Sequence, residues 1–246
     1  MDKSIYTAMS GARSTLQAQA TVANNIANAQ TTGFRAGHVV TEAFQVPGYG
    51  FATRMPTVQS TPGFDHSAGS IRVTGGDLDI ALHGDNWLAV MGPDGEEAYT
   101  RAGELRLNEN GMLMTASGHP VLGDNGPIAV PPNQRLSIGG DGTISIQPLG
   151  QGPDVLADVG RIRTVAAVPG QLDRGADGLM RAVDGEQLFQ APGQVMTVGA
   201  LEGSNVDVAG SLVQMIELAR QFELQVKSIK AAEENARSST TLLRSS

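Results

Sequence analysis

The chain has 246 residues, 40% hydrophobic, 17% charged and 4% aromatic, with a formal net charge of -8 and lysine only at Lys3, Lys227 and Lys230. An acidic chain with no basic run has little long-range attraction for nucleic acid or anionic lipid. The absence of cysteine excludes disulfides and thiolate metal sites, and no apolar run is long enough to cross a bilayer as a helix.

Glycine and proline divide the chain. One glycine and no proline fall in the first 30 or so residues, nearly all of both lie between about 36 and 203, and neither occurs after Gly210. The order reads helix, then strands and turns, then helix. The fold class expected is α+β. N- and C-terminal helices pair as a coiled-coil-like domain formed by 1–35 and 204–246, 36–70 is an extended linker, and 71–203 is an antiparallel β-rich middle domain.

In the first segment Ile5, Met9, Ala12, Leu16, Gln19, Ala23 and Ile26 alternate four and three apart, the a/d spacing of a helical seam. Asp2 is a candidate N-cap, and Gly33 stands where a C′ glycine would help end the helix. In the linker, Pro47, Tyr49, Phe51, Pro56 and Pro62 point to extended chain with local contacts.

The middle repeats a hairpin pattern. Trp87–Val90 runs into Pro93-Asp94-Gly95. Leu105 and Leu107 lead through Asn110-Gly111 to Met112–Met114. Leu136 and Ile138 are followed by Gly139-Gly140-Asp141-Gly142 and then by Ile144 and Ile146 at strand period, and Asp124-Asn125-Gly126-Pro127 makes another turn. At the C-terminal end Ser204–Asp207 resembles a capping box. Val208, Leu212, Met215, Ala219, Phe222, Val226, Ile229, Glu233, Ala236, Thr240 and Leu243 continue a second four-three seam. Two seams at opposite ends of a chain are most cheaply buried against each other or against copies of the same chain.

Templates for chemistry fail. There is no Gly-Lys pair for a phosphate loop, and neither G-x-G-x-x-G, G-x-S-x-G nor H-E-x-x-H occurs. His38, His66, His83 and His119 are scattered, without ligand spacing. Gly139–Thr143 begins like a calcium nonapeptide, but Ile144 stands where the acidic ligand is needed. Asp77, Asp79 and Asp85 read as turn residues. No catalytic residue, cofactor, metal, nucleic acid or small-molecule substrate is expected. The alternative of another class is a hydrolytic β-enzyme with helical dimerisation arms.

One segment is more specific than any periodicity. Ala23-Asn24-Asn25-Ile26-Ala27-Asn28-Ala29-Gln30-Thr31-Thr32-Gly33-Phe34-Arg35 resembles the N-terminal signature of the bacterial flagellar rod and hook proteins. Leu78–Val90, Tyr99-Thr100-Arg101-Ala102-Gly103, Gly118–Gly123 and Gly199–Asp207 are similar to further runs of that family, in its order. The resemblance marks Asn24, Asn25, Asn28, Gly33, Phe34 and Arg35 as an assembly motif. It gives the seam residues Ile5, Met9, Leu16, Ile26, Leu212, Met215, Phe222, Val226 and Ile229 a role in polymerisation.

Composition alone would place the chain in the cytoplasm. The resemblance implies instead a rod subunit of the basal body, of the proximal segment, with the distal segment as the alternative. Such a subunit is part of the periplasm-spanning rod that carries motor torque, and is exported by the flagellar type III apparatus without a cleaved signal. Its partners would be copies of itself, neighbouring rod proteins and the export apparatus. The terminal helices are expected to be poorly ordered in the free monomer and to become ordered on assembly.

Overall fold

A computed structural model describes residues 4–39, 41–43, 57–59, 63–150, 156–183 and 188–244. The chain is α+β: a helix at each end and antiparallel strands between. It divides into two units, a helical one (1–29, 36–65 and 206–246) and a β unit (30–35 and 66–205).

In the helical unit, α1 is Ser4–Ala27 and α2 is Val208–Arg244. Both segments lack proline and are rich in alanine, and α2 is rich in leucine as well, so propensity and the absence of proline favour helix. Asp207 caps α2, its carboxylate accepting from the Ala209 amide at 3.1 Å and its carbonyl from the Ser211 amide at 2.9 Å. The two helices pack against each other. The Thr15 hydroxyl lies 3.3 Å from Gln225 Oε1, and a Cβ on Gly11 would stand 3.0 Å from Gln225 Nε2. Small residues at 11, 12 and 15 allow this approach. The described parts of 36–65 pair as antiparallel ladders, Gly37–His38 with Gly63–Phe64 and Thr41–Ala43 with Thr57–Gln59. The candidate cap Asp2 and the residues Pro47, Tyr49, Phe51, Pro56 and Pro62 lie outside the described residues.

The β unit is built from the expected hairpins. Asn86–Met91 pairs with Glu97–Thr100 across Pro93-Asp94-Gly95. Leu105–Leu107 pairs with Leu113–Thr115, where the Asn108 carbonyl oxygen of the side chain accepts from the amides of Asn110 and Met112. Asn133–Ile138 pairs with Thr143–Pro148, placing Leu136 opposite Ile146 and Ile138 opposite Ile144. All four are buried, because a period of two puts alternate residues on one face.

Among the described residues the largest sheet has six strands, ordered Leu172–Arg174, Met180–Ala182, Glu97–Thr100, Asn86–Met91, Thr164–Ala166 and Phe189–Gln190. Its core gathers Ile80, Leu88, Val90, Leu113, Val121, Ile144 and Ile162. No described helix is long and apolar enough to cross a membrane.

Candidate functional site

The strand Ala200–Glu202 leads toward α2 and pairs with Ile71–Val73, with Glu202 opposite Ile71. A charge ends this otherwise apolar strand, and it is 2% exposed. A buried carboxylate is costly unless its lone pairs are all occupied by good donors. Here they are. Glu202 Oε1 lies 2.7 Å from Arg35 Nη2 and accepts from the Gly69 amide at 3.0 Å. Oε2 accepts from Arg101 Nε at 2.7 Å and Nη2 at 2.6 Å.

Arg101 is saturated as well. Its Nη1 donates to the carbonyls of Gly84 (2.7 Å) and Asn86 (2.8 Å), and its Nη2 to that of Leu82 (2.8 Å), while the guanidinium lies 5.7 Å from the Trp87 ring. Arg101 thereby pins the turn between two core strands to the carboxylate.

The six residues 30–35 form a strap across this cluster. The Gly33 amide donates to the Glu202 carbonyl at 2.8 Å, and the Asn205 amide to the Phe34 carbonyl at 3.3 Å. Gly33 has φ +69, and a Cβ there would overlap the Arg101 carbonyl and stand 2.5 Å from the Ala102 amide nitrogen. Only glycine allows the two backbones to lie so close. Its expected role as a C′ residue is corrected: α1 ends at Ala27, and Gly33 serves this backbone contact six residues later.

A third arginine grips the strap from the edge of the six-stranded sheet. Arg174 lies over the Phe34 ring, 4.9 Å from its centroid, and donates to the Arg35 carbonyl at 2.5 Å. Burial pushes the pKa of this guanidinium below its ordinary value.

The other signature residues do different work. Asn25 is buried, and its side-chain amide makes a two-way clamp on Gly37, donating to the carbonyl and accepting from the amide, each at 2.8 Å. Asn28 Nδ2 donates to the Asn24 carbonyl at 2.9 Å and finishes the last turn of α1. Along the helices, Ile5, Ile26, Met215, Phe222, Val226 and Ile229 are half-buried. Met9 is 54% exposed, Leu16 49% and Leu212 48%, whereas Ala12, Thr15 and Val22 are buried. Glu233 is exposed and pairs with Arg237 at 2.6 Å.

The motifs tested for chemistry are occupied by turn bonding. Asp141 accepts from the Thr143 amide and hydroxyl, which holds its carboxyl below the usual range. Asp79 accepts from the Thr74 hydroxyl at 2.5 Å. Among the described residues no cluster of His, Cys, Asp or Glu is arranged to hold a metal ion.

Three family models match the chain: "Flagella basal body rod protein" over residues 5–35, "Flagellar hook protein FlgE/F/G D1 domain" over 81–146, and "Flagellar basal body rod FlgEFG protein C-terminal" over 197–242. The flagellar basal-body rod protein FlgF of Escherichia coli K12 is 43% identical over 249 residues, covering 99% of both chains. The chain belongs to the flagellar basal-body rod protein family. The FlgF of Salmonella typhimurium LT2 is equally similar at 43% over 99% of both chains. The rod protein FlgG of Bacillus subtilis is 31% identical, over 95% of this chain and 96% of its own length.

Each family model contributes one charge to the cluster of this rod protein: Arg35, Arg101 and Glu202. Arg174 lies in none of the three spans. Arg35 was expected as a motif residue; Arg101 and Glu202 lay inside other family-like runs, with nothing local to pair them with it. The signal for Glu202 was a lone carboxylate ending an apolar strand; for Arg174 nothing local distinguishes it from a surface arginine.

Proposed function

We propose that this rod protein is a structural subunit of the proximal rod, that it polymerises through α1 and α2 in a coiled-coil-like arrangement, and that it carries motor torque. The observation supporting this most directly is that the paired helices keep large apolar side chains exposed. Tyr6, Met9 and Leu16 on α1, and Leu212, Val213, Ile216 and Leu224 on α2, are all solvent-facing in the single chain. Neighbouring rod subunits would cover them, and heterologous contacts of this kind build tubes rather than closed dimers. The greater identity to FlgF than to FlgG supports the proximal position. Homologues named as rod proteins leave no role for an enzyme, and the family assignment displaces the hydrolase alternative.

The test is deletion of the gene followed by imaging of isolated basal bodies. Rods that stop short of their distal segment, and are restored by the full chain but not by Ile216→Asp, are expected. Normal rods in the deletion strain would sink the proposal. Export through the flagellar apparatus without removal of a leader belongs to the same reading, and N-terminal sequencing of the assembled subunit tests it.

A further inference from the structure

The chain passes between the helical and β units at four places: 29/30, 35/36, 65/66 and 205/206. On the β side, all four are fastened to one short stretch, Glu202–Asn205. The strap 30–35 accounts for the first two, through the Gly33 amide on the Glu202 carbonyl, the Arg35 guanidinium on the Glu202 carboxylate, and the Asn205 amide on the Phe34 carbonyl. The segment after 65/66 is held by Asn205 Nδ2 on the Ser67 carbonyl (3.0 Å), the Gly69 amide on Glu202 Oε1 (3.0 Å) and the Gly203 amide on the Ser70 carbonyl (2.8 Å). The fourth passage is the stretch itself.

Glycine again permits backbone contact: a Cβ on Gly69 would overlap the Gly203 carbonyl oxygen and stand 2.8 Å from its carbon. A single peptide linker turns freely about φ and ψ and transmits twist poorly. Four linkers bonded to one another at a buried, charge-assisted point lose that freedom.

We propose that Glu202 is the positioning residue that makes the four chain passages one mechanical joint, so that load entering through any of them is shared by the others. This rests on the reading of the chain as a torque-carrying rod subunit. Glu202 is suited to the task because it holds three segments at once: Oε1 and the backbone carbonyl hold the strap through Arg35 and Gly33, Oε1 also holds Gly69, and Oε2 holds the Arg101 core turn.

Two variants of the full chain separate a joint from an ordinary stabilising pair. In Glu202→Gln, amide exchange measured by mass spectrometry rises together in 30–35 and 67–70, by about tenfold or more as a charge-assisted bond is lost, while the strands 86–91 and 143–148 keep their protection. In Arg35→Gln, which leaves the Arg101–Glu202 pair intact, only 30–35 opens.

In a strain carrying Glu202→Gln as the sole copy, rods assemble and cells swim in dilute medium but lose swimming in viscous medium. Identical exchange patterns in the two variants, loss of protection in the core strands, failure of the variant to assemble, or full swimming under load would each overturn the proposal. Failure of the wild-type chain to restore rods would instead remove the rod-subunit reading on which it rests.

Discussion

Gly33→Ala isolates the steric part of the strap. Alanine at φ +69 costs about 1–2 kcal/mol for an L-residue in the left-handed region. Its Cβ would also meet the Ala102 amide nitrogen at 2.5 Å, about 1 Å inside ordinary contact. The obstructing atoms are backbone, so no rotamer change relieves them.

If the strap retreats by about 1 Å, the 2.8 Å bond from the Gly33 amide to Glu202 passes out of hydrogen-bonding range. That loses roughly 0.5–1.5 kcal/mol, and weakening of the 2.7 Å Arg35–Glu202 pair adds roughly 1.5–3. The total is roughly 3–6.5 kcal/mol, capped at the free energy with which the strap docks. Gly95→Ala is the control, since Gly95 has φ +82 with nothing within 4 Å, and should lose only about 1–2 kcal/mol.

The readout is urea unfolding followed by fluorescence of Trp87, the chain's one tryptophan, buried beside Arg101. With a slope of about 1–3 kcal/mol per molar urea, a difference of ~2 kcal/mol separates the two midpoints by about 1 M. Equal shifts for the two variants would refute the close-approach argument.

Arg101→Met should be worse, at about 3–5 kcal/mol, because it strands the buried Glu202 carboxylate and the Leu82, Gly84 and Asn86 carbonyls; the same urea titration measures it. Asn25→Ala removes both bonds to Gly37 and should cost about 1–3 kcal/mol in the helical unit, with little change in the Trp87 transition; circular dichroism at the helix band checks it. Tyr99 is pushed up from 10.0 to about 12, first by burial and then by the charge of Glu97 and its hydrogen bond to it. A folded pKa above the unfolded one means that the folded state keeps its proton longer. The stability from this group is therefore full below pH 10 and is lost as pH rises from 10 through 12. Tyr99→Phe should remove that part of the alkaline loss, as read by unfolding midpoints at stepped pH.

The hairpins were legible because their information is local. Asn108 beside Asn110-Gly111, or Asp141 beside Gly142, writes a turn within a few residues, and alternating Ile or Leu then assigns the buried face. The helices were legible for the same reason, through the absence of proline and the cap at Asp207. The direction in which α1 turns its faces was not. Its sequence carries one stripe through Met9, Ala12 and Leu16 and another through Thr15 and Val22, and both keep helical spacing. Only tertiary packing puts the second inside, with Gln225 of α2 approaching at Gly11 and Thr15.

The helical ends and the hairpinned middle were thus legible in the sequence alone, since periodicity, caps and turn residues act over a few positions; that the two helices pack on each other came from the structure. The signature ending at Arg35 identified the family by sequence as well. What only the tertiary structure decided is why that signature ends on Gly33, Phe34 and Arg35. Their partners, Arg101, Arg174 and Glu202, lie far along the chain. A buried carboxylate chooses its arginines by where the folded backbone delivers them, and no local pattern records that choice.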